Sequence, residues 1–393
     1  MSQRRKSNRR DFLQGKSAVQ TIADLGQQSR DGESDAGYSR SVARPAGYLI
    51  QFSRRAMACQ FEIFLNAGQY SRGTEAALQA LDLVEQLEDQ MTVFRDHSEI
   101  SELNRTAASQ AVEIEPRLFA LLEHAVRIYR ETNGAYDVTA GPLSRVWGFT
   151  RRRGAIPDDA RLAEARARVG SHQLELNASA VSVRFRTPGI EINLGSIGKG
   201  YALDRCADRL RAAGVYDFLL HGGQSSVLAG GSAEGEDEKS AAAVPPRSTD
   251  EDSLGTDPPA RVSQGWLVGV RDPLRPRRRL GQIRLRNRAL ATSGSGAQFF
   301  MHGTERYGHI LDPRTGWPAR GVLSTTVVAP SAAEADALST AFYVMGPEAT
   351  EEYCRFHRHV GCLMSCPGKR EGALDLGVFG LDEADWIPAP AAC

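Results

Sequence analysis

From residue 47 onward, hydrophobic and polar residues follow patterns that predict a succession of short strands and amphipathic helices. Strands are expected where apolar residues recur at every second position, as at Phe61, Ile63 and Leu65. Helices are expected where apolar residues recur at every third or fourth position. The predicted strands are 48–53, 59–65, 181–186, 190–194, 225–228, 266–270, 283–290, 323–329 and 361–365. The predicted helices are 74–91, 116–132, 199–213 and 331–345.

Two of these helices carry recognisable capping signals. Ser331 and Glu334 form a capping box at the start of the last helix, and Gly346 follows its end. Pro116 opens an earlier helix, and Gly134 stands just beyond it. Strands alternate with these helices without a repeat of fixed period. The pattern therefore predicts the α+β class, as a single elaborated domain with mixed sheets flanked by helices.

Two segments lack the apolar periodicity. Residues 1–46 form a polar, basic tail, and residues 231–260 hold eight acidic residues, two basic residues and four prolines. Segments of this composition cannot bury enough apolar surface to fold, so we expect both to be disordered. A solvated insert between two strands is favoured over a regulatory interaction segment at 231–260. The folded domain is predicted to cover 47–393, interrupted by this insert.

The N-terminus resembles an export signal. Residues 8–14 read Asn-Arg-Arg-Asp-Phe-Leu-Gln, which is similar to a twin-arginine motif. The stretch that follows carries Lys16, Gln20 and Asp24, which makes it a poor apolar segment for such a signal. Export to the periplasm or cell envelope and residence in the cytoplasm both stay open as predictions.

Composition and charge exclude several classes of protein. The chain has 48 Lys and Arg residues and 48 Asp and Glu residues, so its net charge of zero argues against a globally basic nucleic-acid binder. No stretch approaches the roughly 18 consecutive apolar residues that a transmembrane helix requires. The six cysteines are spread over 393 residues and do not form a disulfide scaffold. The oligomeric state cannot be read from these features.

Two clusters suggest a ligand but have a simpler interpretation. Five residues of the types that bind zinc fall within thirteen positions, at Cys354, His357, His359, Cys362 and Cys366. They are divided between a predicted helix end and a predicted strand, which favours buried thiols and surface histidines over a zinc site. Eight arginines in 271–288 suggest polyanion binding, but they alternate with apolar residues. A half-exposed strand pair with a solvated arginine face is the favoured interpretation.

The strongest chemical signal is the run 194–201, which reads Leu-Gly-Ser-Ile-Gly-Lys-Gly-Tyr between a predicted strand and a predicted helix. Small residues let backbone N–H groups approach an anion, and the helix dipole adds positive potential. Lys199 adds a full positive charge. The spacing fits neither a Walker A loop nor a dinucleotide fingerprint. The run predicts contact with a phosphate or diphosphate, with a turn needed only for packing as the alternative.

A second signal lies in the last predicted helix. Asp336 and Thr340 are four positions apart, so their side chains share one helix face. Oxygen ligands on one face suit Mg²⁺, which is commonly shared with substrate phosphates. Spacing alone favours an exposed aspartate and a core-facing threonine. The anion-binding run shifts the balance, because a metal that bridges a diphosphate needs both parts.

Two further segments combine polar and aromatic groups in turn-rich sequence. The run 309–318 presents His309, Asp312 and Arg314 within six residues. This combination fits acid–base chemistry or phosphate binding, and equally a turn held by the Asp312 side chain. The run 132–149 contains Asp137 together with aromatic residues and fits one wall of a ligand cleft.

Taken in order, seven segments resemble the ApbE family of FAD:protein FMN transferases. They are Met57-Ala58-Cys59, 91–94 with 98–104, 134–149, 194–204, 291–294, 309–318 and 335–340. The resemblance implies an α+β fold that holds FAD between these loops, with Mg²⁺ near the diphosphate. It also implies transfer of FMN to a threonine hydroxyl of an acceptor protein with release of AMP. An electron-transfer flavoprotein subunit is the kind of acceptor that the family implies.

The resemblance also assigns roles to individual residues. The metal ligands would be Ser196, through its backbone carbonyl, Asp336 and Thr340. The FAD contacts would be Met57, Phe94, Asp137, Lys199 and His309. His309 and Asp312 would lie near the reacting diphosphate as catalytic residues. The general base stays open between these two side chains and a carboxylate on the metal.

The sequence departs from the family pattern at two places. Ala58 and Cys59 stand where glycine and threonine are usual. After 291–294 the family often has an acidic or amide residue and a tyrosine, and here the chain reads Ser-Gly-Ala-Gln at 295–298. These departures keep two alternatives open. One is hydrolysis of FAD to FMN and AMP, with water in place of threonine, and the other is a flavin carrier without turnover.

Overall fold

The computed structural model describes residues 48–233, 265–294, 296, 298–370 and 372–390, all within one compact unit. The predictions of a basic tail and twin-arginine signal at 1–46 lie outside these residues, as does 234–260 of the predicted insert. Residues 231–233 are described and continue the fold. The Ser232 backbone N–H donates to Asp217 at 2.7 Å, so the first residues assigned to the insert are packed against the domain.

Strands and helices alternate along the described chain. The strands are β1 Leu49–Ala56, β2 Cys59–Asn66, β3 Val112–Glu113, β4 Leu174–Asn177, β5 Ser182–Phe185, β6 Phe218–Gly222, β7 Ser226–Gly230, β8 Trp266–Arg271, β9 Arg279–Leu285, β10 Ala289–Gly294, β11 Phe299–His302, β12 Glu305–Gly308, β13 Ser324–Ala329, β14 Gly361–Pro367, β15 Leu374–Phe379 and β16 Trp386–Pro388. The helices are α1 Gly73–Met91, α2 Glu99–Thr106, α3 Pro116–Glu131, α4 Gly141–Val146, α5 Asp159–Ala167, α6 Gly198–Ala212, α7 Ala332–Met345 and α8 Pro347–Phe356.

A central eight-stranded sheet organises the fold, in the order β1-β2-β6-β7-β10-β13-β14-β15. The strand pairs in the described residues are antiparallel, and a parallel contact occurs as the isolated bridge between Ala140 and Glu191. A single helix between two neighbouring strands would make those strands parallel. Two helices, α7 and α8, lie between β13 and β14 in the sequence, and these strands pair antiparallel. The α+β class is confirmed, with antiparallel rather than mixed sheets.

The middle strands of this sheet are buried on both faces. Leu228 of β7 packs into the core formed with α1, α6 and α7, while Val227 and Ala229 pack against β8 and β9. The β8 and β9 strands belong to a small sheet ordered β16-β9-β8, so a helical layer covers one face and a second sheet covers the other. Strands buried on both faces usually read as continuous apolar runs, which is the pattern of β7 after Ser226. β13 is buried throughout although it begins with Ser324, Thr325 and Thr326.

Two strand predictions were wrong in detail. The predicted strand 283–290 is divided between β9 and β10, because Asn287 takes a left-handed φ of 51° and reverses the chain. The predicted strand 190–194 buries its apolar side chains but joins no sheet. Its backbone at Ile192 instead exchanges two hydrogen bonds with the Asn104 side chain, at 2.8 and 2.9 Å. Burial alternates here as in a strand, but the backbone partners are the Asn104 side chain and the 138–140 segment, where the Asn193 N–H donates to the Val138 carbonyl at 2.7 Å.

Candidate active site

A cleft of about 1740 Å³ gathers most of the segments singled out in the sequence. Its walls include the start of α6, the buried edge of α7, the end of β10 and the β6–β7 turn. The β8–β9 hairpin, the 135–152 segment and the 298–313 segment complete it. Pockets for drug-sized ligands have volumes of about 300–1,000 Å³, so this cleft has room for a dinucleotide and part of a second partner.

The α6–α7 contact places the first-turn amide of α6 against the Asp336 carboxylate. A Cβ at Gly200 would lie 2.0 Å from the Ala332 carbonyl oxygen, so only glycine allows the two helices to approach this closely. The Gly200 backbone N–H donates to Asp336 Oδ2 at 2.8 Å. Part of the glycine-rich run is therefore explained by helix packing, and the packing in turn holds Asp336 in place.

The Ser196 carbonyl is unused just before the start of α6. Gly200 is the third residue of α6, so its N–H has no acceptor within the helix and is capped by Asp336 instead. The first carbonyl that α6 uses is that of Ile197, which accepts from the Tyr201 N–H at 2.9 Å. Ser196 precedes it, and its carbonyl has no hydrogen-bond donor among the residues that the structure describes. Ser196 lines the cleft, so this unused oxygen is available to a ligand there.

Asp336 is 5% exposed and keeps part of its carboxylate open. Ser226 donates to Oδ1 at 2.7 Å, and the Lys199 ammonium lies 3.7 Å from Oδ2. Thr340 lies one helical turn further along α7 and also lines the cleft, with its hydroxyl 3.2 Å from that of Ser293. The two α7 side chains face the cleft together, as their spacing predicts.

The oxygen atoms around this point fit a magnesium ion. A carboxylate, a hydroxyl and an unused backbone carbonyl are hard oxygen donors, which suit Mg²⁺ together with water and substrate phosphates. A zinc site would instead need several His, Cys, Asp or Glu side chains close together. The described residues contain no group of three or more His, Cys, Asp or Glu side chains arranged to hold a metal ion.

His309 presents one open ring nitrogen. Its Nδ1 lies 3.0 Å from the Gln298 carbonyl oxygen, which can only accept, so Nδ1 carries the proton. Burial lowers the pKa of His309, and the nearby charge of Lys199 acts in the same direction. The ring is therefore neutral near pH 7, and Nε2 is an acceptor in a residue that lines the cleft. This is the protonation state that a general base needs.

Asp312, the other catalytic candidate, is engaged within its own turn. Its carboxylate accepts hydrogen bonds from the Arg314 backbone N–H and from Nε and Nη2 of the same residue, each at 2.9 Å. Asp312 is absent from the lining of the cleft, whereas Leu311 and Pro313 belong to it. These contacts favour a turn held by the Asp312 side chain.

Asp137 lies in the cleft wall with its carboxylate fully engaged. It accepts hydrogen bonds from the backbone N–H and hydroxyl of Thr139 and from those of Ser171, at 2.6–3.1 Å. Burial raises the pKa of Asp137, and the Ser171 and Thr139 hydrogen bonds oppose that rise. The carboxylate organises the cleft wall and has little capacity left for a direct FAD contact.

The two remaining FAD candidates lie at different depths. Met57 and Ala58 form the two-residue turn between β1 and β2, with left-handed φ values of 48° and 58°. The Met57 side chain packs against the main core, and Ala58 lines the cleft. A left-handed residue other than glycine costs roughly 1–2 kcal/mol, so Ala58 carries strain that a glycine would avoid. Phe94 is 75% exposed at the cleft surface.

Sequence reasoning missed the residues that support these side chains. Ser226 holds Asp336, Ser293 contacts both Ser339 and Thr340, and Gln298 fixes the His309 ring. A serine in the otherwise apolar run of β7 is the one signal that pointed to a buried polar contact. The Gln298 contact uses a backbone carbonyl, so the residue type gave no signal.

Comparison with known proteins places the chain in a family. A model of the ApbE family matches residues 57–364. The chain belongs to the ApbE family. Residues 57–364 include every site residue discussed above, from Met57 to Thr340, so the family match and the cleft coincide along the sequence.

Relatives of this ApbE chain are enzymes. An FAD:protein FMN transferase from Vibrio cholerae is 30% identical over 270 residues, covering 68% of this chain and 72% of that protein. An FAD:protein FMN transferase from Treponema pallidum is 32% identical over 299 residues, covering 73% and 76% respectively. The ApbE chain is accordingly an enzyme of the transferase class.

The fold of this ApbE chain agrees with a crystal structure of a relative. The ApbE protein from Thermotoga maritima superposes with a TM-score of 0.69 at 25% identity, covering 84% of this chain and 96% of that one. Among the described residues of this chain, the helices are all too short or too polar to cross a membrane.

Proposed function

We propose that this protein is a Mg²⁺-dependent FAD:protein FMN transferase that moves FMN from FAD to a threonine hydroxyl of an acceptor protein and releases AMP. One observation carries the proposal. The unused Ser196 carbonyl, the Asp336 carboxylate and the Thr340 hydroxyl belong to residues that line one cleft next to Lys199. Two relatives are named FAD:protein FMN transferase, which supports the flavin-transfer part of the proposal.

The start of α6 would bind the diphosphate of FAD. The backbone N–H groups of Ile197, Gly198 and Gly200 already donate within the protein, so the attraction for an anion comes from the helix dipole and the Lys199 ammonium. Unit charges about 4 Å apart attract by about 4 kcal/mol at an effective dielectric constant near 20. Ser196, Asp336 and Thr340 would hold Mg²⁺ beside it. When bound, the ion supplies charge neutralisation at the phosphate oxygens.

His309 would act as the general base. Its neutral Nε2 would accept the proton of the threonine hydroxyl as the threonine oxygen attacks the FMN-side phosphorus. A new phosphorus–oxygen bond forms, the bond to the AMP-side bridging oxygen breaks, and AMP leaves with the electron pair. The Gln298 carbonyl keeps Nδ1 protonated throughout, so the ring presents the same nitrogen in every turnover.

The proposal is tested by incubating the protein with FAD and Mg²⁺, with and without candidate electron-transfer flavoprotein subunits. Mass spectrometry follows FMN attachment, and chromatography follows free FMN and AMP. We expect an acceptor to gain FMN on one threonine with one AMP released, and the same acceptor with that threonine changed to alanine to gain none. Free FMN without acceptor would identify a hydrolase instead, and intact FAD under all conditions would identify a carrier.

A further inference from the structure

The hairpin that joins β8 to β9 carries a concentration of positive charge at the cleft. Five exposed arginines lie on its strand ends and connecting loop, at Arg271, Arg275, Arg277, Arg278 and Arg279. All but Arg275 line the cleft. In the part of the chain that the structure describes, no carboxylate lies within ion-pairing distance of these five guanidinium groups. We call this segment, 271–279, the arginine loop.

The arginine loop is held in one conformation by its own acidic residue. Asp272 is buried, and its Oδ1 accepts hydrogen bonds from the backbone N–H groups of Leu274 and Arg275 at 2.8 and 2.9 Å. The Asp272 N–H donates to the Arg278 carbonyl at 3.0 Å. The only carboxylate in the loop is thus engaged with the backbone and leaves the arginine charges uncompensated.

Two arginines of the loop repel each other, and this repulsion does not contribute to packing. Arg271 and Arg279 stand directly opposite each other in the β8–β9 register. Like charges at opposed positions destabilise a strand pair, by a few tenths to about 1 kcal/mol. Positive charges gathered along one wall of a cleft attract anions from solution and raise their local concentration. An anionic partner seated on the loop would relieve the repulsion.

The arginine loop adjoins the proposed reaction centre. Arg271 donates to the Gln224 side chain at 2.9 Å, and Gln224 stands two residues before Ser226, which donates to Asp336. Two residues span at most about 7 Å of extended chain. A peptide segment that contacts Arg271 therefore needs only a few residues to place a hydroxyl group at Asp336.

We propose that the arginine loop binds acidic side chains of the acceptor protein, which lie within a few residues of its target threonine. This inference rests on the proposed function. Lys199 and the proposed Mg²⁺ site already serve the two phosphates of FAD, so five more cations exceed what the donor needs. Guanidinium groups bind carboxylates through two parallel hydrogen bonds, which would orient the acceptor segment as well as attract it.

The test measures binding of a fluorescent peptide in which one threonine is flanked on both sides by aspartates. A matched peptide with asparagine in place of each aspartate is the control. With saturating FAD present, we expect the acidic peptide to bind and the asparagine peptide to bind at least about tenfold more weakly. The double variant R277E/R278E should weaken the acidic peptide by at least about tenfold, because two attractions become repulsions.

A matched variant separates this loop from general surface charge. Arg161 and Arg358 are also exposed, and neither lines the cleft, so R161E/R358E makes the same charge change elsewhere. It should bind the acidic peptide as the unmodified protein does. An acidic peptide that fails to bind the unmodified protein, or that binds both double variants equally, would overturn the proposal.

Two readouts on FAD keep the outcomes distinct. If FAD displaces the peptide and R277E/R278E also weakens FAD binding, the loop serves the nucleotide and the proposal is wrong. Turnover of FAD to AMP is followed on the same samples. If the unmodified protein does not release AMP from FAD, the proposed function is wrong. Binding of the peptide is measured separately and tests only the arginine loop.

Discussion

The aspartate at the α6–α7 contact and the aspartates of two turn segments differ in how much of their hydrogen-bonding capacity is used. At the α6–α7 contact, Asp336 accepts two hydrogen bonds, from groups 136 and 110 residues away in the sequence. In the turn segments, Asp137 accepts four and Asp312 accepts three. A carboxylate has about four lone-pair sites. Asp336 therefore keeps room for a ligand, and the other two hold the chain around themselves.

This difference distinguishes side chains that can bind a ligand from side chains that stabilise the surrounding backbone. A side chain that keeps lone pairs open inside a buried cleft is free to bind a metal or a substrate, and its loss should affect turnover more than stability. A side chain that satisfies several backbone groups should show the reverse, because its loss leaves buried donors unpaired. Four substitutions test this comparison.

The largest effect is expected for Asp336→Asn. Removing the charged oxygen donor should lower FMN transfer by about 10³-fold, because a metal ion supplies several kcal/mol of transition-state stabilisation. The fold should survive, since the Ser226 hydroxyl can accept from the new amide instead of donating. Transfer is measured against Mg²⁺ concentration, together with a thermal melt. Undiminished transfer at any Mg²⁺ concentration would remove the metal assignment.

His309→Gln should lower the rate constant for transfer by about 10²-fold, the lower range for general acid–base catalysis. A base works when it is neutral, and burial lowers the pKa of His309 below its ordinary value of about 6.5. Transfer by the unmodified protein should therefore be flat above pH 7 and fall only on acidification below that range. The variant should lose this acidic limb. An unchanged pH profile would assign the base elsewhere.

Asp137→Asn should act mainly on stability. The amide would place an N–H₂ group where the carboxylate now accepts from the Ser171 backbone, leaving buried donors facing each other. We expect the free energy of unfolding to fall by about 2 kcal/mol. At a temperature where the variant stays folded, kcat/KM should fall by less than about tenfold. Urea denaturation and a transfer assay on the same preparation decide this, and a large loss of FAD affinity alone would contradict it.

Asp312→Asn should have the smallest effect and serves as the matched control for Asp336→Asn. The substitution weakens an ion pair with the half-exposed Arg314, which contributes at most about 1 kcal/mol. FMN transfer should stay within about threefold of the unmodified rate, since less than 1 kcal/mol is involved. A loss as large as that of His309→Gln would restore Asp312 as a catalytic residue and break the comparison.

Most elements could be predicted because their patterns are local. The capping box at Ser331 fixed the start of α7, and the structure confirms that Ser331 accepts from the Glu334 N–H. The sequence also predicts a turn held by the Asp312 side chain, because such a contact needs only nearby residues, and its partner Arg314 lies two positions away. The 190–194 segment could not be resolved in this way, since the partner of its backbone, Asn104, lies far along the chain.

By itself the sequence determined the helix face shared by Asp336 and Thr340, the glycine-rich start of α6 and the polar turns, since each depends on residues within a few positions. The tertiary structure alone decided that the Asp336 carboxylate accepts from the Gly200 N–H and from the Ser226 hydroxyl. It also placed the arginine loop beside the cleft. The physical reason is that the free lone pairs of a side chain are set by every donor packed around it, and here those donors lie more than a hundred residues away.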